Sequence, residues 1–182
     1  MKKQKGFSLI ELLIVVAIIL IIAAIAIPNL MRAKMAANEA SAVGSIRTIV
    51  TGEISYNTAN WTNGGQPIGF SVALTDLGTS GTCATGGAST STATCLIDNT
   101  LALATTQATA KSGYYFTYAP VATGGVNTGF TINGDPATTG QTGSRSFCSD
   151  QTGVIRAAPA VPNGNKVAVC YGQGANLSPA IQ

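Results

Sequence analysis

The chain has 182 residues and a formal net charge of +3, from 10 Lys and Arg against 7 Asp and Glu, and it contains no histidine. Because Lys2, Lys3 and Lys5 all precede Gly6, the remainder is balanced in side-chain charge, which argues against a surface built to neutralise nucleic-acid phosphates. With no histidine, no activated-nucleophile motif and Asp76, Asp98, Asp135 and Asp150 dispersed, the sequence offers no enzyme site and no metal or cofactor set.

From Phe7 to Ile27 the chain runs 21 residues with Glu11 as the only charge, and Leu12 to Ile27 holds no polar residue. As a helix this stretch is about 32 Å long, enough to cross a hydrocarbon core of about 30 Å. The three lysines before it favour the cytoplasmic side, so the C-terminal bulk is expected outside. A cleaved secretory signal is the plainer alternative, with "IAAIA" at residues 22–26 as the nearest exit, but "PNLMRAKMAANEA" follows without a clear small-x-small site. Ser8-Leu9-Ile10-Glu11 fits the S-x-x-E capping box. Such a cap contributes about 1 kcal/mol, whereas a charge within a membrane helix costs about 2.5–3.5 kcal/mol at its centre and less near its end. An opposite charge is therefore the better compensation for Glu11.

Beyond Pro28 the pattern becomes amphipathic, with Ala36, Ala40, Val43, Ile46, Val50 and Ile54 at helical spacing and Arg32, Lys34, Glu39, Arg47 and Glu53 between them. The helix is expected to continue through Pro28 with a kink, since the periodicity resumes after it. Gly44 and Gly52 are either tolerated or mark close approach of a neighbouring backbone. Gly78 to Ala110 is rich in Thr, Ser, Ala and Gly and is expected to be exposed loop, with a short element within "CLIDNTLALATT".

Alternation with period two follows in "YYFTYAP" (114–120), "GFTING" (129–134), "SRSFCSD" (144–150), "GVIRAAP" (153–159) and "KVAVCY" (166–171). Gly-Asp-Pro at 134–136, Asp150 to Gly153 and Asn163-Gly164 supply turn signals, so an antiparallel sheet is expected. The aromatics of these runs read as core. The fold class is α+β, a long helix whose amphipathic half lies on a C-terminal antiparallel sheet. Four cysteines without C-x-x-C point to an exported, disulfide-bonded chain. They allow three connectivities. Sequential pairing, Cys83 with Cys95 and Cys148 with Cys170, is preferred because each pair closes a local loop.

The short basic start, Gly6, Phe7, three residues, Glu11, the apolar run and Pro28 together resemble the class III leader and assembly helix of type IV pilins and the related pseudopilins. The resemblance is strong over residues 1 to about 35 and architectural beyond them. It implies a prepilin peptidase that cuts between Gly6 and Phe7 and methylates the new amine of Phe7. Glu11 then serves as counter-charge to that amine on a neighbouring copy, a register lock in which Phe7, Glu11 and Pro28 are the assembly residues. The implied divisions are 1–6 leader, 7–31 transmembrane and assembly half of the helix, 32–57 amphipathic half, 58–112 connecting region and 113–182 pilin-like sheet. Cys148 to Cys170 resembles the disulfide-bounded C-terminal loop of many pilins. The implied product is a homo-oligomeric helical filament, reached from an inner-membrane precursor with a periplasmic C-terminal part. An assembly platform and ATPase serve it, and its outputs are adhesion, motility or DNA uptake. The runner-up is a major pseudopilin of a type II secretion system, disfavoured because "YGQGANLSPAIQ" at 171–182 lacks the acidic calcium-binding loop common there. A membrane-anchored binding module that never polymerises is the third reading.

Overall fold

A computed structural model describes residues 8–78 and 89–160. The strand expected at 166–171, the Asn163-Gly164 turn, Gly6, Phe7, Cys83 and Cys170 lie outside the described residues. The chain divides into two compact units, Met1–Lys34 and Met35–Gln182.

Helix α1 runs from Leu9 to Thr58 and contains Pro28. Its first bond joins Leu12 N–H to Ser8 O at 3.2 Å. Proline lacks the N–H that would bond four residues back, but the apolar and alanine-rich sequence on both sides supplies helix formers enough to carry the helix through. Beyond Thr58 the chain leaves the helix, and Asn60 takes a left-handed φ of +52°, a conformation that asparagine tolerates where helices end.

In the second unit α1 buries Glu39, Ala42, Ser45, Ile46, Ile49, Val50, Gly52, Glu53 and Tyr56, one face of a 3.6-residue helix. This corrects the expected stripe. Ala36, Ala40 and Ile54 are exposed, while Glu39 and Glu53, expected between the apolar positions, lie on the buried face. Gly52 is there because a Cβ would come within 3.2 Å of the Ile97 side chain and 3.5 Å of Leu77. Those neighbours are side chains rather than backbone. An added Cβ at Gly44 would meet nothing within 4 Å.

A two-stranded hairpin follows, β1 (Thr62–Asn63) with β2 (Gln66–Pro67). The segment after it crosses to the main sheet, where Phe70 N–H donates to Asn127 O at 3.0 Å. A 3-10 turn at Leu74–Leu77 and helix α2 at Asn99–Ala102, capped by Asp98 accepting from Leu101 N–H, close over α1. The described part of 78–110 is mostly exposed, as expected, but a few of its residues are docked rather than loose. Ala93, Ile97, Leu101, Ala102 and Ala104 are all buried. A few aliphatic residues in a Ser/Thr-rich background are enough to dock the segment, and average composition conceals them.

The main sheet is an antiparallel meander in chain order, β3 (Tyr114–Thr123), β4 (Val126–Pro136), β5 (Arg145–Asp150) and β6 (Arg156–Pro159). Gly124 and Gly125, with φ of +61° and +86°, make the β3–β4 turn, where both residues need a left-handed conformation. Gly-Asp-Pro at 134–136 does not turn: it ends β4, with Pro136 opposite Tyr114. Ala137 N–H donates to Gly113 O, so strand alternation points the nitrogen of Pro136 away from β3. On that side β5 pairs only with Thr131 to Gly134, and the missing N–H breaks no ladder bond. Asp150 does open a turn, accepting from Thr152 N–H at 2.8 Å.

Phe116, Phe130, Ile132 and Phe147 face Ile46 and Ile49 in one core. The helix approaches the sheet at Gly134, where a Cβ would stand 3.0 Å from the Phe116 ring and 3.4 Å from Ile46 Cδ1. Phe130 packs edge-on against Phe70 and stacks on Tyr118, with centroids 5.1 and 5.8 Å apart.

Candidate assembly helix

Within the first unit, Leu9 through Met31 have their large apolar side chains in solvent. Leu9 is 77% exposed, Leu20 63% and Leu30 71%. The most apolar 18-residue window of α1 has a mean hydropathy of 3.3 and none of it is buried, the property of a helix made for lipid or for other helices. Glu11 stands in the first turn. One of its carboxylate oxygens accepts from the Ser8 backbone N–H at 3.3 Å, the glutamate half of a capping box. The other oxygen has no hydrogen bond among the described residues, which leaves capacity for a second donor. Pro28 lies inside the helix, seventeen residues beyond Glu11.

Cys95 and Cys148 are both disulfide-bonded. Cys148 is buried on β5 and Cys95 holds a left-handed φ of +63°. The second member of each expected pair lies outside the described residues. Among the described residues no group of three His, Cys, Asp or Glu could hold a metal ion.

Two residues that sequence reasoning passed over fix the buried half of α1. Glu39 is 6% exposed and accepts from Ser144 N–H and Oγ, both at 2.9 Å, and from Arg145 Nε at 2.8 Å, with Arg145 NH2 at 2.7 Å. Burial alone would raise its pKa, but the Ser144 N–H, the guanidinium and the Ser144 hydroxyl outweigh it and hold the carboxyl below its ordinary value. Glu53 is fully buried and accepts from Ser71 N–H at 3.0 Å and from Ser71 Oγ. Here burial dominates with no cation in range among the described residues, and Asp76 adds to it, so the carboxyl is pushed up despite the bonds from Ser71 and the nearby Tyr118 hydroxyl. Tyr118 donates to Ser71 O at 3.0 Å and Tyr56 to Ser91 O at 2.7 Å; burial moves the Tyr56 hydroxyl up to about 12. The signal was in the sequence. Glu39, Ala42, Ile46, Ile49, Glu53 and Tyr56 follow a three-four spacing, so the two acids occupy the apolar stripe itself.

Residues 1–27 match the family model described as "Prokaryotic N-terminal methylation motif". The chain is 45% identical over 60 residues to the type IV wide pilus major component PilA4 of Thermus thermophilus, which covers 33% of this chain and 46% of that protein. It is 43% identical over 54 residues to the type IV major pilin protein PilA of Myxococcus xanthus, covering 30% of this chain and 24% of that protein. The aligned stretch thus spans less than half the length of either relative. No solved structure matches the chain. The methylation-motif match over residues 1–27, the exposed apolar helix that begins within it and these relatives make the N-terminal third of the chain similar to type IV pilins.

Proposed function

We propose that the chain is a structural subunit of a type IV pilus, processed after Gly6 by a prepilin peptidase, methylated at Phe7 and polymerised through residues 7–31 of its first helix. One observation carries this reading: among the described residues every large apolar side chain from Leu9 to Met31 is exposed, a surface suited to lipid first and to other helices later. Lipid of the inner membrane holds the precursor, with the part beyond the helix on the periplasmic side. An assembly platform and ATPase supply the work of moving the helix from lipid into a surface filament used for adhesion, motility or DNA uptake. The pseudopilin alternative is not favoured, since one relative is named as a type IV pilus component and the other as a type IV pilin.

Glu11 has a second role beyond the cap. A lone carboxylate at the edge of hydrocarbon is costly, and the amine created at Phe7 of an adjacent copy neutralises it once the two helices are in register. Gly6→Ala is expected to block processing, and accumulation of mature protein from that variant excludes the cut site. Glu11→Ala is expected to insert and fold but to incorporate poorly as the only copy. Normal filament yield from it sinks the register lock.

A further inference from the structure

Arg32 and Lys34 follow immediately on the exposed apolar stretch. Both are exposed, and among the described residues no acid lies within ion-pair distance of either. Glu39, the next acid along the helix, is taken by Ser144 and Arg145. Two features of their placement identify what they meet. Glu11 and Arg32 are 21 residues apart in α1, about 32 Å of helix, so the span that puts Glu11 at one edge of a hydrocarbon core of about 30 Å puts Arg32 at the other. Positions 32 and 34 also lie about 200° apart around the helix axis, on opposite sides. A protein docking on one face would be met by cations three or four residues apart. A partner that surrounds the helix is met by cations on both sides.

We propose that Arg32 and Lys34 form a contact ring for anionic phospholipid headgroups at the outer surface of the membrane that holds the precursor. Their aliphatic stems cover the end of the apolar span while guanidinium and ammonium reach the phosphates, the geometry that long basic side chains adopt at a membrane boundary. The contact belongs to the membrane-held state and is given up when the helix leaves lipid, so it opposes extraction until the subunit is drawn into a filament. This inference rests on the reading that residues 7–31 span a membrane.

The test is the full chain reconstituted into vesicles that carry a trace of spin-labelled phosphatidylglycerol or spin-labelled phosphatidylcholine. The fraction of each label immobilised against the protein is read by electron paramagnetic resonance. The wild-type chain is expected to enrich phosphatidylglycerol over phosphatidylcholine, with about fivefold attributable to each cation at low salt and less at high salt. The double variant Arg32→Gln/Lys34→Gln loses that part, Arg32→Lys/Lys34→Arg keeps it, and Lys111→Gln, whose cation is paired with Asp98, leaves it unchanged. Equal enrichment by wild type and the double variant overturns the proposal. So does a double variant with unaltered lipid selectivity that fails only in filament incorporation, because the occupant is then an acidic surface of another subunit. A chain that immobilises neither lipid has not inserted, which fails the membrane-spanning reading and with it this inference. Insertion without headgroup preference fails this inference alone.

Discussion

Glu39→Gln isolates the charge of the α1–β5 clamp while keeping an acceptor at the same place. In the native chain the carboxylate takes two bonds from Ser144 and two contacts from the Arg145 guanidinium, all between 2.7 and 2.9 Å. Hydrogen bonds to a charged partner contribute about 1.5–3 kcal/mol and neutral ones about 0.5–1.5. The Arg145 side chain is 53% exposed, so its charge rehydrates when Glu39 is neutralised and its share of the loss is small. The net cost is about 2 kcal/mol at neutral pH, or about 4–8 °C in Tm for a chain of this size. The sign of the pH dependence follows from the lowered folded pKa. The clamp's stabilisation is fully present above the ordinary carboxylate value of 4.5 and is lost as pH falls through the lower folded value. Thermal unfolding of detergent-solubilised wild type and variant, followed by near-ultraviolet circular dichroism from pH 7 to pH 3, reads both effects. The gap in Tm should close toward pH 3. A gap below about 2 °C at pH 7, or one that stays constant to pH 3, refutes the reasoning.

Glu53 has the opposite sign, because its folded pKa is raised: its contribution is fully present below 4.5 and declines as pH rises through the folded value. Glu53→Gln should therefore remove an alkaline-side loss, leaving Tm closest to or above wild type near pH 8 and furthest below it near pH 4, in the same melting assay. Gly44→Ala, with open space around the new methyl, should stabilise the chain by about 1 kcal/mol. Gly52→Ala should gain less or lose, because its methyl presses on the buried Ile97, and the order of the two melting temperatures checks the difference. Ile46→Ala removes a fully buried side chain lying over Gly134 and should cost about 2–5 kcal/mol by denaturant titration. Non-reducing peptide mapping should show Cys83 joined to Cys95 and Cys148 to Cys170, and any crossed pair contradicts the local-loop pairing.

The long helix was legible because two independent patterns meet in it, an unbroken apolar run and an alanine-rich amphipathic continuation, and Pro28 separates them without ending either. The main sheet was legible because Tyr114 to Tyr118, Phe130 to Ile132 and Ser146 to Ser149 alternate or carry β-forming residues beside turn-forming ones, whereas the short β1–β2 hairpin was not. What failed has physical causes. Glu39 and Glu53 were placed on the wet face because charge normally marks it, whereas here their bonding partners, Ser144 and Arg145 for one and Ser71 for the other, come from distant segments that no local pattern reveals. Ile97, Leu101 and Ala104 were missed because they join a core shared with α1 and the sheet that forms only when the chain folds back, with Ile97 against Gly52. Gly-Asp-Pro was read as a turn because its residues favour one, but Pro136 falls where its nitrogen faces no neighbouring strand. In the assembly helix, the exposure of every large apolar side chain from Leu9 to Met31 agrees with the hydropathy of the sequence, while the second acceptor of Glu11 came only from the structure.

The central claim is that the exposed apolar half of α1 is covered by other copies of itself after processing at Gly6. Electron microscopy of filaments sheared from cells expressing the chain, joined to intact-mass analysis of their subunit, tests it most directly. The account predicts filaments with helices packed at the core, built from a subunit whose N-terminus is methylated Phe7. A chain found only in the membrane fraction, or filaments whose subunit retains residues 1–6, would contradict it.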